Sequence, residues 1–159
     1  MRFEQMEFER KIKTMRKFHK RINRDFFNGK LKNIALNIEN TNKGQMPDNV
    51  AMFTPSALSV NRETLEASFV EKISFAHEFI EIIAEQKTQR EQAFAIATVM
   101  LHEMIHQYCY ENGLDDENHS GEWEKTAYEH GLISIYKDGE LIEEYARPAT
   151  EWIISLYGL

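Results

Sequence analysis

Three observations predict an α+β fold, with an N-terminal helix, a small β-sheet, a long helix followed by a shorter one, and a C-terminal hairpin. Apolar residues recur at helical spacing through the first 28 positions, and strict alternation follows at 34–38. A run without Gly or Pro from 91 to 110 is then bracketed by cap signals. The 159 residues, 42% hydrophobic and 28% charged, suit a single domain over 1–159 and argue against global disorder.

The first helix is expected over about 5–28. Phe8, Ile12, Met15, Ile22 and Phe26 keep one apolar stripe, with Phe18 close by, and Asn28 and Gly29 supply a left-handed stop. Ile34, Leu36 and Ile38 alternate with Ala35, Asn37 and Glu39 as in a half-buried strand. After a polar loop with Gly44 and Pro47, a second strand at 50–54 is expected to halt at Pro55, and Leu58 and Val60 alternate again. Residues 73–76 suit a further strand, with a helix starting at Glu63 as the competing assignment.

Thr88 and Glu91 form a capping box at the start of the central helix, and Asn112 and Gly113 close it. A second helix is expected over 121–130, stopped by Gly131. Segments 132–136 and 140–142 flank Asp138 and Gly139 as a hairpin. Thr150 then caps a short terminal helix, so that hairpin and helix occupy about 132–159.

Charge is unevenly spread. Residues 1–32 carry 11 Lys/Arg against 4 Asp/Glu, and residues 33–159 carry 8 against 22. Such a basic helix either stays solvated, docks on its own acidic body, or contacts a polyanion such as DNA. No apolar run approaches membrane-spanning length, so no membrane partner is expected. The single Cys109 excludes an internal disulfide and any zinc module built on two or more cysteines. With no apolar leader core in the first residues, a cytoplasmic setting is expected.

The central helix contains His102-Glu103-Met104-Ile105-His106. Positions i and i+4 share a helix face, so both imidazoles can approach one metal ion, with Glu103 at the edge of the same site as general base. At this chain's composition the pattern arises by chance at about 3%, so context decides. Met100, Leu101, Met104 and Ile105 surround the histidines with apolar residues, where two imidazoles need a reason to stand. A Zn²⁺ ion needs a third protein ligand, and His119, a short loop beyond Gly113, is the candidate.

His119-Ser120-Gly121-Glu122-Trp123, starting 13 residues after His106, resembles the SprT-like (Spartan-type) metallopeptidase family. The segment Phe26-Phe27-Asn28-Gly29-Lys30-Leu31 is similar to that family's helix ending before its first strand, and the likeness covers about 15–131. It implies a zincin-like fold and zinc-dependent hydrolysis of peptide bonds in a protein or peptide substrate. His102, His106 and His119 would be metal ligands and Glu103 the catalytic base, while a strand edge at 50–54 would hold extended substrate by main-chain pairing. Ser120 stands where many members have Gly, and one cysteine leaves no Cys-rich ribbon of the longer members.

Around this set, Tyr128, His130, Asp115 and Asp116 are secondary candidates for contact with the site, each with a plain structural alternative. Cys109 is expected in the core, and His19 and His77 at the surface. Two rival functions remain: a module that binds nucleic acid or protein and uses zinc only structurally, and a metal-free interaction protein.

Overall fold

The computed structural model describes residues 1–40, 50–114, 122–129, 136–137 and 140–141. A 3-10 turn at Phe3–Gln5 precedes α1 (Phe8–Phe26), then β1 (Ala35–Glu39), β2 (Ala51–Val60) and β3 (Ala67–Ala76). Helices α2 (His77–Ala84), α3 (Gln89–Glu111) and α4 (Glu122–Glu129) follow, then the two-residue strands β4 (Tyr136–Lys137) and β5 (Glu140–Leu141). The fold is α+β, as expected.

Helix α1 buries Met15, Phe18, His19 and Ile22. Phe8 was expected on this stripe but is 54% exposed, because Phe3 of the preceding turn is the N-terminal aromatic that enters the core. The stop is as expected: Asn28 and Gly29 have φ of 53° and 72°, the left-handed region. Asn23 locks the exit by accepting the Leu31 N–H at 3.0 Å and donating to the Leu31 carbonyl at 2.9 Å. Arg16 adds a further tie by donating to the Ile34 carbonyl at 3.1 Å, just before β1.

Three strands form a sheet in the order β1-β3-β2, parallel between β1 and β3 and antiparallel between β3 and β2. Ile34, Leu36 and Ile38 are buried as their alternation predicts. Leu36 faces Ile73 and Ile38 faces Phe75, so these residues share the face that packs under α1 and α3. On the other face Lys72 pairs with Glu39 at 2.6 Å.

Two strand expectations are corrected. Pro55 does not halt β2, since the strand runs on with a register shift between Thr54 and Ala57. A bulge on an edge strand tolerates a residue without an N–H. No helix starts at Glu63: Asn61 Oδ1 accepts the N–H groups of Glu63 and Thr64, closing a turn with Leu65 at φ 59°, and β3 begins at Ala67. Helix α2 follows β3 directly and was not anticipated, although Phe79, Ile80 and Ile83 are buried at helical spacing.

The pairing phase determines which way β2 presents its main chain. The Ala76 N–H donates to the Val50 carbonyl at 2.9 Å, so Val50–Ala76 and Met52–Ser74 are the hydrogen-bonded pairs. Phe53, opposite Ile73, therefore directs its own N–H and C=O outward from the sheet, on the edge beside α3.

Helix α3 carries the expected capping box: Thr88 Oγ1 accepts the Glu91 N–H, and Glu91 Oε2 accepts the Thr88 N–H, both at 3.2 Å. Beyond Glu111 it is closed by Asn112 and by Gly113 at φ 65°, as expected. Ile96, Ala97, Met100, Leu101, Met104, Ile105 and Cys109 are fully or nearly fully buried, since α1, α2, β2 and α4 all pack against this helix. The hairpin appears as the pairs Tyr136–Leu141 and Lys137–Glu140. The terminal helix expected after Thr150 lies outside the described residues. No helix among them is long and apolar enough to cross a membrane.

Candidate metal centre

His102, Glu103 and His106 lie within α3, and the helix brings them together as the i, i+4 spacing requires. The two imidazole centroids are 5.3 Å apart with their planes at 64°, and both rings are half-exposed. Zinc–nitrogen bonds are about 2.0–2.1 Å long, so two imidazoles at this separation can share one ion. Glu103 lies beside them, with its Oε1 3.9 Å from His102 Nε2.

Glu103 is only 6% exposed, although it is a carboxyl on a helix flanked by accessible histidines. Burial pushes its pKa up to about 8, while a hydrogen bond from the Phe53 backbone amide pulls the other way. That amide is the one directed outward from β2. The carboxyl thus sits between the histidines and the open edge of the sheet.

Trp123, the second residue of α4, packs against both rings. Its indole lies 4.9 Å from the His102 ring and 5.5 Å from the His106 ring, and it is 2% exposed. The sequence shows an aromatic residue there but not this contact, because only the return of α4 over α3 creates it. The Phe53 amide was missed for a similar reason: main-chain direction on an edge strand follows from pairing phase and leaves no mark in residue type.

His119, the expected third ligand, lies outside the described residues, as do Asp115, Asp116, His130 and the side chain of Tyr128. Among the described residues, no three His, Cys, Asp or Glu side chains are grouped to hold a metal ion. Cys109 is fully buried, as expected, and its Sγ lies 3.9 Å from Thr126 Oγ1 in the α3–α4 contact. His77 is exposed, as expected.

His19 corrects an expectation. It is 1% exposed, and its Nε2 lies 2.9 Å from Gln107 Oε1. Gln107 in turn donates to the Lys32 carbonyl at 2.9 Å. Burial holds the His19 pKa below its ordinary value, partly opposed by the Gln107 hydrogen bond. The stripe count placed this residue at the surface because it treats histidine as polar, whereas the α1–α3 interface offers it a partner.

Neither the search of curated proteins nor the search of solved structures finds a match. Comparison with protein families matches the SprT-like family over residues 15–134, three quarters of the chain, from α1 through the histidine helix and α4. The chain belongs to the SprT-like family.

Proposed function

We propose that this chain is a zinc metallopeptidase with a zincin-like site, hydrolysing peptide bonds in a protein substrate. The observation that carries this reading is the pairing of two accessible imidazoles 5.3 Å apart with a buried carboxyl between them and a strand edge. The donor set suits Zn²⁺: two neutral imidazoles one helical turn apart, with His119 as the third ligand and a fourth position open. When bound, the ion lowers the pKa of water toward about 7 and polarises a carbonyl.

The chain's own residues divide the remaining work. Glu103 takes the proton of the attacking water and passes it to the leaving amine. In the metal-free chain burial favours the protonated carboxyl, the form that donates; a cation held by the neighbouring histidines would favour the charged form, the one that accepts. The Phe53 N–H is held by Glu103, and the outward C=O of the same residue offers an extended substrate a main-chain acceptor beside that carboxyl.

The test is metal content together with proteolysis of an unfolded protein substrate. Wild-type chain is expected to bind about one zinc, and His119→Ala to lose it. Glu103→Gln should keep the zinc and lose activity by about 10²–10⁴-fold. No zinc uptake by the wild type would favour the interaction-protein reading instead.

A second reading draws on α1. Arg10, Lys13, Lys17, Lys20, Arg21 and Arg24 are all exposed along one helix, a surface suited to a phosphate backbone. Binding to DNA through it should weaken steeply between about 50 and 200 mM salt. Here zinc would be structural and need a fourth protein ligand. Cys109 is a poor one, since its sulfur is buried against Thr126.

A further inference from the structure

We propose that Trp123 is a positioning residue for the metal centre, a fixed indole surface that holds both imidazoles in one geometry and thereby sets the affinity for a divalent ion. The inference rests on the metal-site reading above and names a residue outside the ligand set. Its basis is contact with both rings at once: 4.9 Å to His102 with planes at 54°, and 5.5 Å to His106 with planes at 35°.

A histidine on a half-exposed helix face rotates freely about its terminal torsion, whose energy profile is broad. Two such rings rarely point their nitrogens at one place. An indole packed against both removes that freedom before a metal arrives, so less ordering remains to be done on binding. The aromatic face also attracts the partial positive charge that a ligated imidazole acquires.

The plate itself is anchored. Trp123 is 2% exposed and Thr126 is 3% exposed one turn further along α4. Thr126 meets Cys109, which lies one turn beyond His106 on α3. The contacts His106–Trp123 and Cys109–Thr126 therefore repeat at the same three-residue step along both helices, so α4 cannot slide or roll without breaking both. The ring orientation at the histidines is tied to the packing of α4 as a unit.

Cobalt(II) serves as the probe because its visible absorption reports coordination and it quenches nearby indole emission. The chain has two tryptophans, so Trp152→Phe leaves Trp123 as the sole indole, read by excitation beyond the tyrosine absorption. In that background, cobalt is expected to quench the emission in step with the rise of its visible band. Trp123→Ala should weaken cobalt and zinc binding by about 10–100-fold and alter the cobalt spectrum. Trp123→Phe, which keeps an aromatic face, should stay within about threefold of wild type.

Cobalt bound to the wild-type site with Trp123 emission unchanged would overturn the inference, even if the alanine variant fails to fold. A folded Trp123→Ala chain with wild-type affinity and spectrum would do the same while leaving the metal site standing. Failure of the wild type to take up cobalt or zinc at all removes the centre, and the inference with it.

Discussion

Helix α3 carries two polar clusters on neighbouring residues, and they are built in opposite ways. At His102 and His106 the imidazoles are half-exposed, converge on one another and are backed by an indole. One residue further on, Gln107 is fully buried and closes a chain from His19 of α1 to the Lys32 carbonyl, each link 2.9 Å long. The first arrangement leaves ring nitrogens within reach of a ligand. The second satisfies its polar atoms within the protein and ties three segments together. Histidine alone therefore says little about role; accessibility and the direction of its partners decide it.

The sharpest way to break this comparison is to truncate the two neighbours in turn. His106→Ala is expected to lower zinc affinity by more than about 100-fold and leave thermal stability of the metal-free chain nearly unchanged, because it removes a ligand from a half-exposed position. Gln107→Ala should do the reverse. It should keep metal binding and lose about 1–3 kcal/mol, since His19 is left buried with its partner gone. Titration calorimetry with zinc and urea unfolding separate the two, and equal effects of both variants on both measurements would dissolve the distinction.

A smaller effect follows from pH. Burial depresses the His19 pKa in the folded chain, so below its ordinary value of 6.5 the unfolded chain binds more protons. The His19 contribution is complete above that value and is lost as pH falls through it toward the folded pKa. His19→Gln should flatten the acid side of the metal-free stability profile, as followed by urea midpoints between pH 7 and 5.

The smallest effect is expected at the last turn of α3. There Glu71 of β3 is pushed up to about 7 by burial and then by the charge and hydrogen bond of Glu111, against the opposing Lys32. Glu111 itself accepts the Lys32 N–H at 3.0 Å. The folded chain binds more protons than the unfolded one between the ordinary value of 4.5 and about 7, so stability declines as pH rises through that window. Glu71→Gln should therefore raise stability at pH 8, by less than about 1 kcal/mol because the group is largely solvent-screened, and leave pH 4 unchanged. A gain of equal size at both pH values would show that charge is not the cause.

Much of the fold was legible because its signals are local. The α3 capping box needs only Thr88 and Glu91, the α1 exit only Asn28 and Gly29, and β1 only its period of two. The errors came where a local rule met a tertiary circumstance. Pro55 breaks a central strand but is accepted at a bulge on an edge, and nothing near it in the sequence says that β2 is an edge. The turn at 61–66 depends on one asparagine side chain filling two amides, which outweighed the competing helix.

For the candidate site, the sequence by itself determined that His102 and His106 share a helix face with Glu103 beside them. That follows from 3.6 residues per turn and holds wherever the helix packs. Only the tertiary structure decided what surrounds them: that Glu103 is buried against the outward amide of Phe53, that Trp123 covers both rings, and that His19 is sealed inside by Gln107. These contacts join residues 17 to 88 positions apart, and no local spacing encodes them. They arise when β2, α1 and α4 compete for the sides of one apolar helix, and burial of the whole core settles which polar groups end up facing one another.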